Sequence, residues 1–116
     1  MNKFEKISEK QFNKDFWGDP TALYDEIKLP KRATKYSAGY DIYSPIDVVL
    51  FAGATVKIPT GIRVALDEDK FLMIAPRSGL GFKYRLQLDN TVGIIDADYY
   101  NSDNEGHIWV KITNDS

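Results

Sequence analysis

Cysteine is absent from the 116-residue sequence, which removes disulfides, thiolate nucleophiles and cysteine-rich zinc or iron centres, and agrees with a reducing compartment. Histidine occurs once, at His107, so neither a histidine metal site nor a serine triad can be assembled within one chain. An excess of charge is also missing. Fifteen Lys and Arg against 17 Asp and Glu give a net charge of -2, which argues against a broad nucleic-acid or membrane surface but leaves room for a small anionic ligand. Long apolar runs are lacking, and the longest, near Val48 to Ala52, is far shorter than the roughly 20 residues of a bilayer-spanning helix. The opening Met1–Lys6 has no apolar signal core. These absences lead to the expectation of a soluble cytoplasmic protein with a single adequate core.

Helical rhythm is confined to the N-terminus. Ser8 and Gln11 have capping-box spacing, and Phe12 and Phe16 stand four apart on one stripe, so a short helix over Glu9 to Phe16 is predicted. Asp19 before Pro20 predicts a second helical turn through Ala22, Leu23 and Tyr24. Residues 1–26 are therefore expected to form a short helical N-terminal extension that packs Phe12, Phe16 and Trp17 onto a sheet. From residue 27 to 116 the texture is all-β: Pro30, Pro45, Pro59 and seven glycines punctuate short β-branched and aromatic runs, as in a sandwich, jelly roll or barrel. Val56–Ile58 and Ile62–Leu66 alternate around a Pro59-Thr60-Gly61 bend, and Leu66–Lys70 is an acidic turn. Phe71–Ala75 is a continuous apolar strand, and His107–Ile112 alternates again, which gives His107 a strand-face position.

Chemistry concentrates between Pro76 and Tyr99. In Pro76-Arg77-Ser78-Gly79, a guanidinium, a hydroxyl and successive amides can be aimed at one anion, with Gly79 supplying a left-handed backbone. About a dozen residues later the run Val92–Ile95 ends in Asp96, which emerges at the rim of a buried strand where it can take a proton from water. The two features are expected within one hairpin's reach. Earlier, Ser37-Ala38-Gly39-Tyr40-Asp41-Ile42 puts small residues before an acid entering a strand, suggesting a close backbone approach. Taken singly, each has a plainer reading: Arg77 as a surface ion-pairing residue, Ser78 and Asn90 as turn formers, Tyr99 as a core aromatic, Asp96 and Asp98 as loop acids.

Together, Ala38–Ile42, Pro76–Leu80 and Gly93–Tyr99 resemble, in order and at matching separations, the first three signature motifs of the trimeric deoxyuridine triphosphatases; Leu29–Thr34 and Ile58–Ile62 also look like family sequence. The resemblance covers about Leu29 to Ile112. It implies a jelly-roll-like β-clip subunit, a homotrimer with active sites at subunit interfaces, and Mg²⁺-assisted hydrolysis of dUTP to dUMP and pyrophosphate by water attacking the α-phosphorus. By the same resemblance Asp96 activates the water and meets the sugar 3′-hydroxyl, and Arg77, Ser78 and Gly79 hold the phosphates. Asp41 steadies Mg²⁺ through its water shell, backbone from Asn90 through Ile94 and Ile95 reads uracil, and Tyr99 stacks beneath the deoxyribose. A backbone reader rejects cytosine, whose reversed donor and acceptor leave buried groups unpaired.

Three departures stand out. Tyr100–Glu105 is longer than the family's usual tight turn and is expected to form an extended hairpin loop. Arg85 occupies a position where many relatives have glycine. The sequence given stops at Ser116, before the fourth motif's strand and the fifth motif's glycine-rich arm, so it is either shorter than the gene product or a truncated relative with slow turnover. Two other classes remain open at this level: a dCTP deaminase-like enzyme of the same superfamily, which Gly79 after Ser78 disfavours, and a non-catalytic nucleotide-dependent binding protein, which an intact Asp96 disfavours.

Overall fold

The computed structural model describes residues 2–77, 79, 81, 85–89 and 92–116. Among these, strands run β1 (Lys3–Lys6), β2 (Thr55–Pro59), β3 (Ile62–Ala65), β4 (Phe71–Ile74), β5 (Leu86–Leu88), β6 (Gly93–Asp96) and β7 (Trp109–Asn114). A helix α1 (Glu9–Asp15) and two short 3₁₀ helices, η1 (Tyr24–Glu26) and η2 (Ala97–Asn101), complete the set. All pairings are antiparallel: β1 with β3, β2 with β7 with β5, and β4 with β6. The bend at Pro59-Thr60-Gly61 therefore passes the chain between sheets; it does not close a hairpin.

That bend is tightly held. Gly61 adopts φ +79°, and a Cβ there would lie 2.8 Å from the Ile27 side chain, so both backbone conformation and space require glycine. Buried Thr60 donates its hydroxyl to the Ile108 carbonyl at 2.6 Å, and the Gly61 amide donates to Nε2 of His107 at 2.9 Å. His107 is fully buried and precedes β7, so it is a core residue and not the strand-face residue expected.

The N-terminus contributes more than a helix. β1 pairs Lys3–Lys6 with Ile62–Ala65 of β3, a strand too short and too charged to stand out in the sequence. α1 begins as predicted, with Ser8 accepting from the Gln11 amide at 3.1 Å. Ile7, Phe12, Phe16, Ile27, Ile62, Val64 and Ile108 form the core, flanked by half-buried Leu72, Ile74, Ile95 and Tyr99. Burying each such large apolar side chain is worth about 1.5–3 kcal/mol. Trp17 does not join them and is 87% exposed. The turn expected from Pro20 becomes an Asp19-capped bend, Asp19 accepting from the Thr21 amide at 2.8 Å, and helical geometry starts only at Tyr24.

The loop expected after Tyr99 is instead η2 followed by a compact turn. Ser102 Oγ donates to the Tyr99 carbonyl at 2.7 Å, and the Gly106 amide donates to Ser102 Oγ and Asn104 Oδ1 at 3.1 Å each. The polar side chains that suggested an open loop fold inward to satisfy backbone groups.

Candidate active site

β6 carries Asp96 to its end, and the next residue starts η2. The carboxylate does not cap η2. Exposed and without a hydrogen bond or ion pair among the described residues, it is available to an incoming molecule. An open cavity of about 360 Å³ is lined by Ile94, Ile95, Asp96, Asp98 and Tyr99, so the structure gathers four of the sequence-predicted residues and adds Asp98. Tyr99 is held from behind: its hydroxyl donates to the His107 carbonyl at 2.6 Å and accepts from Asn104 Nδ2 at 3.0 Å. With both tethers on the hydroxyl, the ring is fixed while half-buried beside the cavity.

β5 and β6 do not pair with each other. β5 lies against β7 and β6 against β4, which leaves each with an unpaired edge among the described residues. Between them opens a second cavity of about 300 Å³, lined by Ile74, Leu88, Asp89, Gly93, Ile94, Ile95 and β7 residues. Asn90, predicted to belong to this reader, lies outside the described residues. Arg85, at the start of this stretch, takes φ +54°, a left-handed conformation that suits glycine better. It is secured by hydrogen bonds from its Nε to the Asp115 carbonyl at 2.7 Å and from its Nη2 to Oδ2 at 3.1 Å.

The other predicted residues form a separate group. Asp41 and Arg77 face each other, Oδ1 and Nε 4.0 Å apart, with the Arg77 side chain 72% and the Asp41 side chain 28% exposed. Asp41 is placed by its amide, which donates to the Lys31 carbonyl at 2.9 Å. A Cβ on Gly39 would meet nothing within 4 Å, so the expected close backbone approach there is absent. Nor is Gly79 left-handed. The Gly81 amide donates to the Arg77 carbonyl at 2.9 Å, a bond of helical spacing. Ser78 lies outside the described residues.

The register of the β4–β6 ribbon decides how the two groups relate. Asp96 pairs with Phe71, at the start of β4, whereas Gly93 pairs with Ile74, at its end. Arg77 leaves from that far end. β4 alone spans about 10 Å at roughly 3.3 Å per step, with two more residues, Ala75 and Pro76, before Arg77. The acid and the phosphate-turn arginine thus stand at opposite ends of one ribbon rather than within one hairpin's reach.

The sequence reading missed the contacts made by Glu5, Ser8 and Asp15 to the segment after Asp96. Tyr100 donates to Glu5 Oε1 at 2.7 Å; Ser8 donates to Glu105 through its amide at 2.8 Å and hydroxyl at 2.5 Å; His107 Nδ1 lies 2.5 Å from Asp15 Oδ2. The Tyr100 bond holds the Glu5 carboxyl below its usual range, and the Ser8 bonds do the same for Glu105. Burial pushes His107 down against the opposing influence of Asp15 and Glu105. Because Nε2 accepts from Gly61, His107 is neutral and Nδ1–H donates to Asp15. No local pattern carries these pairings.

Fold and site together define a jelly-roll-like β subunit with a small-ligand cavity beside a strand-end carboxylate that is unpartnered among the described residues. A family model described as dUTPase matches residues 25–116, and the chain belongs to the dUTPase family. It is 44% identical over 90 residues to the deoxyuridine 5'-triphosphate nucleotidohydrolase of Lactococcus lactis subsp. lactis, a match covering 76% of this chain and 59% of that relative. The chain thus spans less than two thirds of the length of such curated relatives. Among solved structures it is similar to the dUTPase of Streptococcus mutans, with a TM-score of 0.77, 36% identity and coverage of 98% of this chain and 80% of that one. It is also similar to a mutant dUTPase from phage phi11 of S. aureus, described in terms of the coordination of a structural Mg(II) ion, with a TM-score of 0.71, 28% identity and coverage of 100% and 61%.

Proposed function

We propose that this chain forms the body of a dUTP diphosphatase, hydrolysing dUTP to dUMP and pyrophosphate in the cytoplasm. The observation that carries the reading is the unengaged Asp96 carboxylate at the mouth of a cavity whose wall includes the tethered ring of Tyr99. Asp96 takes a proton from water as the water oxygen bonds to the α-phosphorus. The bond from that phosphorus to the bridging oxygen breaks, and pyrophosphate leaves with the electron pair. Such proton abstraction contributes on the order of 10²- to 10⁴-fold; alignment of the nucleotide supplies more. The Tyr99 ring packs against the sugar and leaves no room for a 2′-hydroxyl. The unpaired edges of β5 and β6 offer main-chain donors and acceptors to uracil, with Asn90 completing the reader and Ile94 and Ile95 lining it.

Arg77, Ser78 and Gly79 bind the phosphates, a reading supported by the exposure of the Arg77 side chain. Among the described residues no group of three or more His, Cys, Asp or Glu could cage a metal ion. Mg²⁺ does not need such a cage, since it keeps several waters and takes few carboxylates besides substrate phosphates. Asp41, half-buried beside Arg77, fits that outer role and would steady the ion through water. When bound, Mg²⁺ offsets the charge that builds on the phosphates.

We also propose a homotrimer with shared sites, a reading that the same register supports. The Arg77 and Asp96 groups leave opposite ends of one ribbon, so each site combines one copy's Asp96 end with another copy's Arg77 end. The ribbon face that carries Asp96 also exposes Phe71, Met73 and Ile94, an apolar surface suited to burial against a neighbouring copy. The test is pyrophosphate release from dUTP, dCTP, dTTP and UTP with Mg²⁺, wild type beside Asp96→Asn. Release from dUTP alone that vanishes in Asp96→Asn is expected. Release that survives the substitution removes Asp96 as the base, and ammonia from dCTP in place of pyrophosphate removes the reaction.

A further inference from the structure

Residues 1–24 precede the part of the chain that matches the family, yet they grip the segment on which Asp96 and Tyr99 depend. Three contacts cross at separations of 95, 97 and 92 residues, and all fall between Tyr100 and His107. β1 supplies Glu5 for the Tyr100 hydroxyl. The N-cap of α1 supplies Ser8 for both oxygens of Glu105, and the end of α1 supplies Asp15 for His107. The first contact is the most elaborate. Arg63 on β3 stacks its guanidinium 3.6 Å from the centroid of the Tyr100 ring and donates from Nη2 to the Tyr100 carbonyl at 2.8 Å, while Nη1 lies 3.9 Å from Glu5 Oε1. Glu5, Arg63 and Tyr100 thereby hold both the ring and the backbone of η2, the element that begins one residue after Asp96 and contains Tyr99.

We infer that the N-terminal segment is a brace for the catalytic strand end, with Glu5, Arg63 and Tyr100 as positioning residues that set the orientation of Asp96 and Tyr99. This rests on the proposed reaction, and it adds to that reaction a role for residues outside the family-matched region. A carboxylate without hydrogen bonds of its own is only as well aimed as the backbone that carries it. η2 is five residues long, fewer than two turns of 3₁₀ helix, and has little rigidity of its own. A bond to an ionised partner is stronger than a neutral one, and the Tyr100–Glu5 bond is of that kind.

The test uses the full chain with Tyr100→Phe, Glu5→Gln and the double variant, Glu5→Asp serving as the conservative rescue. Two readouts are taken: kcat and KM for dUTP, and hydrogen exchange of the Ser102 amide, which donates to the Tyr99 carbonyl, without nucleotide. Expected are a fall in kcat of about tenfold with KM nearly unchanged, faster Ser102 exchange, and a double variant no worse than either single one. Glu5→Asp should recover part of both effects. Unchanged exchange in both single variants overturns the brace, and so does a loss confined to KM. If wild type releases no pyrophosphate from dUTP, the proposed reaction fails, while exchange still decides whether the brace holds η2.

Discussion

The two ends of the β4–β6 ribbon are built differently, although both carry residues assigned to one nucleotide. At the Asp96 end, η2 is packed on the core, pinned through Tyr99 to the His107 carbonyl and gripped at Tyr100 by Glu5 and Arg63, while Ser8 holds Glu105 in the turn that follows. At the Arg77 end, a highly exposed guanidinium has, among the described residues, only a 4.0 Å approach to Asp41. Water activation requires a group aimed within a fraction of an ångström, so its scaffold is ordered before substrate arrives. Phosphate capture relies on charge, which acts at longer range and tolerates a mobile side chain. One end is thus prepared within the chain, and the proposed site leaves the other to be completed by nucleotide and a second copy.

The largest expected effect breaks the prepared end chemically. Asp96→Asn should lower kcat on the order of 10²- to 10⁴-fold while leaving the thermal midpoint nearly unchanged, because the carboxylate holds none of the described residues; a large drop in the midpoint would show that it supports the fold. Gly106→Ala should break the same end structurally. A Cβ there would lie 2.7 Å from both Tyr100 Cα and the Tyr99 carbonyl oxygen, at φ +73°, and the strain should cost about 3 kcal/mol or more in chemical denaturation. An unchanged midpoint would mean the turn relaxes freely.

At the open end, Arg77→Ala should raise KM about tenfold, as loss of one charge-assisted phosphate contact does, with kcat less affected and stability unchanged. Ser8→Ala, which removes the α1 cap and one Glu105 contact, should cost about 1 kcal/mol, read from urea unfolding. The smallest effect is a pH dependence. The unfolded chain, with His107 at its ordinary value of 6.5, binds a proton that the folded chain resists, so stability is full above that value and declines as pH falls below it. Glu5 and Glu105, held below the usual 4.5, withdraw their contributions only at still lower pH. Thermal midpoints measured from neutral to acid should show the first decline, and a non-titrating His107→Asn variant should show less of it; an identical decline would assign the titration elsewhere.

Legibility followed the range of the interaction. The α1 start was readable because Ser8 and the Gln11 amide are three residues apart. The other half of that capping box was not. The Ser8 amide goes to Glu105, and the Gln11 side chain turns to Asp15 at 2.9 Å, because a carboxylate brought near by the fold is a stronger acceptor than a neutral amide oxygen. Phe12 and Phe16 were recognised as one apolar stripe, whereas Trp17, equally apolar, fell off its edge. Asp96 and Tyr99 were legible as neighbours separated by three residues, and the structure lines one cavity with both. Arg77 and Asp96 seemed close because the connecting segment is short, but the antiparallel register sends them apart.

The amino-acid sequence by itself determined the all-β class, the position of α1, the family and the residue types available to bind a nucleotide, because periodicity, caps and motif spacing are written over a few adjacent residues. Only the tertiary structure decided that His107 is a neutral core residue, that Glu5, Ser8 and Asp15 reach across more than 90 residues, and that Asp96 and the turn bearing Arg77 lie at opposite ends of a ribbon. Those facts depend on which strand pairs with which and in what register, and that choice is made by burying one common core rather than by any local preference.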